Sequence, residues 1–146
     1  MPYSTLAQVQ TAVGGPARLL ELSDLSNENT LDADVVDAAI AEADAEINSY
    51  IGHRFSVPLG TVPEIVARKS AAWAARILRR NRYNGQPLQD DLERESTDRE
   101  WLLGVADGTI SLGLEPTPVG ASMVIDKAGP RDATLEVSRL RTKGFW

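Results

Sequence analysis

Residues 35–51 have the sequence VVDAAIAEADAEINSYI, in which apolar side chains recur every three or four positions. The recurring positions are Val36, Ala39, Ile40, Ala43, Ile47, Tyr50 and Ile51. This spacing places them on one face of an α-helix and leaves the intervening acidic residues on the other face. The stretch therefore predicts an amphipathic helix that packs its apolar face against the rest of the chain.

Two short helices are predicted before this stretch. A hydroxyl from Ser4 or Thr5 can cap a first helix that runs to about Val13, where Gly14-Gly15 breaks the chain. Proline is tolerated in a first helical turn, so a second helix is expected over about 16–22.

The polar loop 23–34 is rich in Asp and Asn and is expected to end in an Asp N-cap. Thr61 is expected to cap a helix over 62–83, and another helix follows over about 88–105. The predicted fold is mainly α, a small bundle of about four helices.

The composition changes beyond Gly113, where Pro and Gly interrupt short alternating pieces at 122–125 and 134–137. We predict a helical domain over 1–113 and an extended, partly β C-terminal arm over 114–146. An isolated two-stranded hairpin is marginally stable in water, so the arm is expected to gain order on another surface.

The composition excludes several classes of protein and site. The 146 residues fit one domain, and no stretch approaches the roughly 20 apolar residues of a membrane span. With no cysteine and a single histidine, His53, the chain offers no thiol nucleophile and no Cys- or His-rich metal site. A calcium loop starting at Asp24 would place Asn29 and Val35 where Gly and Glu are required. We expect no enzyme, no metal and no cofactor.

Charge is distributed in blocks although the net charge is −6. Residues 1–50 carry nine acids and one base, 51–83 carry seven bases and one acid, and 84–115 are again acidic. The acidic set expected at contacts between subunits is Asp37, Glu42, Asp44 and Glu46. The basic face of the helix over 62–83 comprises Arg68, Lys69, Arg76, Arg79, Arg80 and Arg82. These cations could line a passage for DNA, meet the acidic helix of a neighbouring copy, or pair with residues 84–100 of the same chain.

The sequence over about 3–113 resembles a known family. The resemblance rests on Ala45-Glu46-Ile47-Asn48-Ser49-Tyr50-Ile51, Arg54-Phe55, Val57-Pro58-Leu59, Val62-Pro63, Trp101-Leu102, Asp107-Gly108 and Ile110-Ser111-Leu112-Gly113. Leu22-Ser23-Asp24 and Leu31-Asp32 also fit its pattern. On these motifs the chain resembles the Mu-like phage and prophage head-tail connector (adaptor, head-completion) proteins.

This resemblance implies a structural virion protein that forms a ring, of twelve copies, beneath the portal protein. The ring would extend the DNA channel, touch genomic DNA without sequence specificity, and dock the next neck or tail component. It would lie in the neck of the virion and pass through the host cytoplasm during assembly, without contact to a membrane. The arm would bind the portal through Leu135, Val137, Leu140, Phe145 and Trp146. The alternative is a small intracellular helical adaptor or regulator that binds a protein partner through this arm.

Overall fold

The computed structural model describes residues 1–117, which form five α-helices. These are α1 (Leu6–Val13), α2 (Pro16–Ser23), α3 (Ala33–Ile51), α4 (Glu64–Arg82) and α5 (Gln89–Asp107). The mainly α prediction is confirmed, and each of the five predicted helical segments is a helix, one more than the bundle of about four. No strand occurs within 1–117. The partly β arm was predicted for a segment that lies, from residue 118 onward, outside the described residues.

A capping box, a left-handed glycine and a first-turn proline set the ends of the two N-terminal helices. Thr5 caps α1 in a capping box, in which its hydroxyl accepts the Gln8 N–H and the Gln8 side chain accepts the Thr5 N–H. Gly14 then adopts a φ of +105°, a left-handed conformation that glycine tolerates best, and ends the helix. Pro16 occupies the first turn of α2.

Two predicted caps are corrected by the structure. Asp32, not Asp34, caps α3, because its Oδ1 accepts the N–H groups of Asp34 (3.1 Å) and Val35 (3.2 Å). The helix therefore starts two residues before the predicted position. Pro63 occupies the N-cap position of α4 and provides no side-chain cap, so Thr61 does not cap this helix.

The core lies mainly between α3 and α4, which pack against each other at the centre of the described unit, Met1–Glu115. Helices α1 and α2 cover one side of this pair, and α5 contacts both of its members. The fully buried large side chains include Leu19, Leu22, Ile47, Ile51, Ile77, Leu78 and Leu102. Burial of these apolar side chains supplies the main free energy of folding.

The connection between α3 and α4 starts with a tight turn, in which Arg54 and Phe55 N–H groups donate to the Ile51 carbonyl. Residues 53–60 form a bent connection, in which Phe55 and Leu59 turn inward and are buried in the core. The phenolic oxygen of Tyr3 accepts the Leu59 N–H at 2.9 Å. The connection is therefore held against the N-terminal segment.

Candidate functional site

The predicted basic face of α4 is partly an internal surface. Arg76 is 6% exposed, and its Nη2 lies 2.6 Å from Asp98 Oδ2 on α5. Lys69 Nζ lies 2.5 Å from the other oxygen of the same carboxylate. Two cations therefore share one carboxylate, and the buried Arg76 Nε has no hydrogen-bond partner among residues 1–117. Such an arrangement is costly to disturb, since removal of one partner leaves a buried charge uncompensated.

Arg79 makes the second internal link from α4 to α5. Its Nε and Nη2 donate to the two carboxylate oxygens of Asp91 at 2.9 and 2.7 Å, a bidentate geometry. An aromatic ring adds to the contact between the two helices, because Lys69 Nζ of α4 lies 5.5 Å from the centre of the Trp101 ring of α5. Lys69, Arg76 and Arg79 thus pair with α5 of the same chain, the third of the three alternatives.

The remaining cations of the basic face lie nearer to solvent. Arg68 pairs with Glu64 one turn away at 3.0 Å, and the two side chains are 70% and 83% exposed. Arg80 pairs with Glu42 at 3.1 Å. Arg82 donates to the Asp24 carbonyl and the Asn27 side chain in the loop before α3. Exposed pairs of this kind contribute little to stability and leave their charges accessible.

The structure separates the predicted acidic set. Asp37 is exposed, whereas Glu42 and Glu46 pair with Arg80 and Arg99 on the surface. Asp44 is only 8% exposed and does not lie on this surface. At about 100° per residue, Asp44 falls on the same side of α3 as the buried isoleucines, which was a signal for its burial in the sequence.

Asp44 belongs to a buried polar network that the sequence did not predict. Its carboxylate accepts the Tyr3 N–H at 2.8 Å and the Ser70 hydroxyl at 2.6 Å. Ser70 in turn lies 2.8 Å from the Ser4 hydroxyl. Burial raises the pKa of Asp44, and the hydrogen bonds from Ser70 and Tyr3 act in the opposite direction. Burial also raises the pKa of the Tyr3 phenol. The network ties the N-terminal segment to α3 and α4.

Two surface grooves flank the exposed side of α4, one beside α1 and the other beside α5. On one side, α1 and α4 form a groove of about 450 Å³, lined by Ala7, Gln8, Thr11, Ala12, Glu64, Arg68, Ala71 and Ala72. On the other side, α4 and α5 form a groove of about 350 Å³, lined by Ile65, Arg68, Lys69, Ala72, Arg76, Arg94 and Asp98. Arg68 and Ala72 line both grooves, so the two share a ridge. We call this pair of grooves the α4 groove.

The outward face of α3 differs in chemistry from the α4 groove. Its exposed residues on one side are Asp34, Asp37, Ala38, Ala41 and Ala45. Helices α3 and α4 pack through their buried faces, so this acidic, small-residue strip and the α4 groove point away from each other. We call it the α3 strip.

Comparison with known protein families identifies the family of this chain. The family model described as "Bacteriophage Mu, Gp36" matches residues 3–124. The chain belongs to the bacteriophage Mu gp36 family. One relative whose sequence aligns directly with this chain is the Mu-like prophage FluMu protein gp36 of Haemophilus influenzae (strain KW20 / Rd). The two sequences are 38% identical over 96 residues. The alignment covers 66% of this chain and 65% of that protein. The protein is thus a Mu-like phage protein.

Several motifs that carried the resemblance to phage proteins hold the fold of this gp36-family chain together. Arg54 extends from the turn after α3 and donates from Nη1 to the Val105 carbonyl near the end of α5 at 3.1 Å. Gly108 follows with a φ of +93°, and a Cβ at this position would clash with the Arg54 guanidinium. Residues distant in sequence thus meet where α5 ends, which spacing alone did not predict.

The remaining features singled out in the sequence of this gp36-family chain are not part of the α4 groove or the α3 strip. His53 is exposed, and the Asp24 carboxylate accepts the N–H groups of Glu28 and Asn29 within its own loop. Within 1–117, no three metal-binding side chains gather to hold an ion. None of the helices in the described part of the chain combines the length and hydropathy needed to cross a bilayer. The predicted portal-binding residues of the arm lie outside the described residues.

Proposed function

We propose that this gp36-family protein is a head-tail connector, a structural protein without a catalytic role. In this proposal, identical subunits form a ring of twelve beneath the portal protein, extend the DNA channel, and dock the next neck or tail component. The protein acts in the neck of the virion after assembly in the host cytoplasm. Membership in a Mu-like phage family and the sequence resemblance to connectors support this role.

The observation that carries the proposal is the presence of two unlike faces on opposite sides of the α3–α4 pair. The α3 strip is acidic, and the α4 groove is lined by cations. A subunit with complementary faces on opposite sides joins copies head to tail, and such contacts close into a ring when the rotation between subunits permits. Asp91 and Asp98 hold Arg79 and Arg76 inside the subunit, so these arginines do not carry the contact with DNA in this proposal.

The C-terminal arm is the proposed attachment to the portal protein. It carries the five apolar anchors Leu135, Val137, Leu140, Phe145 and Trp146. Large apolar and aromatic side chains supply most of the binding free energy at protein interfaces. An arm of this composition could add a strand to the portal or fill an apolar groove on it.

Reconstitution with the portal protein of the same phage tests this role. The full chain is expected to form a ring on the portal, visible by electron microscopy, whereas a chain lacking 131–146 is expected to remain folded and unbound. A matched control replaces Ser138 and Thr142 of the same arm by Ala and is expected to bind normally. Failure of the full chain to join the portal contradicts the connector role, and binding of the shortened chain contradicts the role of the arm.

A further inference from the structure

We propose that the α4 groove of one subunit receives the α3 strip of a second copy of this chain. This inference rests on the proposed ring and names the two surfaces that would build it. The proposal requires three properties: unbalanced positive charge in the groove, room for a helix, and an acidic helix face that is free to enter. Each is present in the described residues.

Within the described residues 1–117, the α5 side of the groove is lined by more cations than carboxylates. Arg68, Lys69, Arg76 and Arg94 line it, and Asp98 is the carboxylate shared by two of them. Glu64 balances Arg68 only through an exposed pair. Arg94 is exposed and makes no ion pair with any residue of 1–117. An incoming carboxylate would therefore meet attraction at the rim of the groove.

The shape of the groove suits a helix. Small residues from two helices, Ala7 and Ala12 of α1 with Ala71 and Ala72 of α4, lie along its α1 side. Ile65 adds a half-exposed apolar side chain on the α5 side. Small side chains along such a surface let a second helix approach closely, and the helix-in-groove arrangement is a common mode of recognition.

The α3 strip has the matching properties. Asp34 and Asp37 lie in its first turns, and Ala38, Ala41 and Ala45 continue the exposed face. Its two carboxylates correspond to the excess of positive charge in the groove, while its alanines meet the alanines of α1 and α4. Because strip and groove lie on opposite sides of the α3–α4 pair, one subunit can use both at once. The contact is then heterologous, as a ring requires.

Site-directed crosslinking tests the pairing, because the chain has no cysteine of its own. One full-length variant carries Ala41→Cys on the α3 strip, and a second, differently tagged, carries Ala72→Cys in the α4 groove. A short bismaleimide crosslinker is expected to give several-fold more heterodimer from this mixture than from Ala41→Cys mixed with Ser96→Cys. Ser96 is exposed on α5 and serves as the matched control. Equal yields in the two mixtures would overturn the pairing.

Charge reversal adds a second criterion. Asp34→Arg with Asp37→Arg on the Ala41→Cys chain is expected to reduce the heterodimer to the control yield. Arg68→Asp with Arg94→Asp on the Ala72→Cys chain is expected to restore it, since both surfaces are then reversed. Efficient crosslinking of Ala41→Cys to itself would indicate a symmetric contact between α3 strips and would contradict the inference.

The portal experiment separates failure of this inference from failure of the proposed function. A wild-type ring on the portal together with no specific crosslink rejects the pairing and leaves the connector role. A specific crosslink together with no binding to the portal rejects the connector role and leaves the pairing as an interface between copies.

Discussion

Helix α4 contacts α3 mainly through apolar side chains, whereas ion pairs with Asp91 and Asp98 link it to α5. The buried residues of α3 that join the core are mainly Val, Ala and Ile, and those of α4 include Ile77 and Leu78. On α5 the buried positions are Asp91 near its start, Asp98 at its middle, and Leu102 and Val105 toward its end. One helix is therefore held on its two sides by different physical forces.

The difference assigns different roles to the two contacts. Burial of apolar surface lowers the free energy of the folded state roughly in proportion to the area removed from water. A buried ion pair gains less, because the attraction between the charges is offset by the cost of removing them from water. The α3–α4 contact thus stabilises the fold, and the α4–α5 ion pairs fix where α5 lies. The ion pairs also bind Lys69, Arg76 and Arg79, three of the six cations that the sequence suggested could line a passage for DNA.

The largest expected effect comes from Asp98→Ala, which leaves the charges of Lys69 and Arg76 without their shared carboxylate. We expect the free energy of unfolding to fall by about 3–5 kcal/mol, the cost of breaking a buried ion pair from one side. Urea denaturation followed by circular dichroism measures this loss. Glu100→Ala, at an exposed position of the same helix, should change it by less than about 0.5 kcal/mol.

A combined variant distinguishes a positioning role of the ion pairs from a stabilising one. Replacing Lys69 and Arg76 by Met together with Asp98→Leu removes all three charges and keeps similar volume. We expect this variant to be at least as stable as the unaltered chain, since apolar replacements of buried ion pairs are often neutral or stabilising. If it is as unstable as Asp98→Ala, the charged contact contributes net stability and the comparison with α3 is wrong.

The sequence predicted the helices well because each depends on neighbouring residues. Apolar spacing identified α3 and α4, and the Gly-Gly-Pro sequence separated α1 from α2. The caps were less predictable, since Asp32 and Asp34 are chemically equivalent and only the path of the loop selects between them. Helix ends therefore shifted by one or two residues while the helices themselves were correct.

The surfaces were less predictable because a charge pattern does not specify its partner. The six cations of α4 share a helical face in the sequence, but the position of α5 decides which of them are buried. A signal was present on α5, where Asp91 and Asp98 share a side with Leu102 and Val105. Carboxylates aligned with a core face predict an internal basic partner, and α4 carries the matching arginines.

Gly108→Ala tests the contact between Arg54 and the end of α5 separately from the ion pairs of Asp91 and Asp98. Gly108→Ala places a Cβ against the Arg54 guanidinium and forces a left-handed backbone on a residue that disfavours it. We expect a loss of about 1–2 kcal/mol, the usual cost of that conformation for a non-glycine residue. Thermal or urea unfolding measures it.

Gly60→Ala is the matched control for this anchor, because a Cβ there meets nothing within 4 Å and the backbone does not require glycine. We expect this control to leave the free energy of unfolding within about 0.5 kcal/mol of the original value. Similar losses in the two variants would show that the contact between Arg54 and the end of α5 has no special part in holding this helix.

The smallest effect concerns the one acidic side chain buried within the apolar α3–α4 contact, Asp44. Burial raises its pKa in the folded state, so the folded chain keeps this proton at pH values where the unfolded chain has lost it. Asp44 therefore contributes most to stability at low pH, and this contribution declines as the pH rises from the ordinary value of 3.8 through the raised one. Asp44→Asn should remove this decline.

The comparison of the original chain with Asp44→Asn isolates this group from all other carboxyls. Asn can still accept the Tyr3 N–H and can donate to the Ser70 hydroxyl, so we expect the two chains to differ by about 1 kcal/mol or less at neutral pH. Urea denaturation at a series of pH values should show the difference shrinking or changing sign as the pH increases. Ser70→Ala removes a hydrogen bond that lowers the pKa, so it should move the decline to higher pH. Parallel stability profiles for the original chain and Asp44→Asn would mean that burial in the α3–α4 contact does not raise the pKa of Asp44.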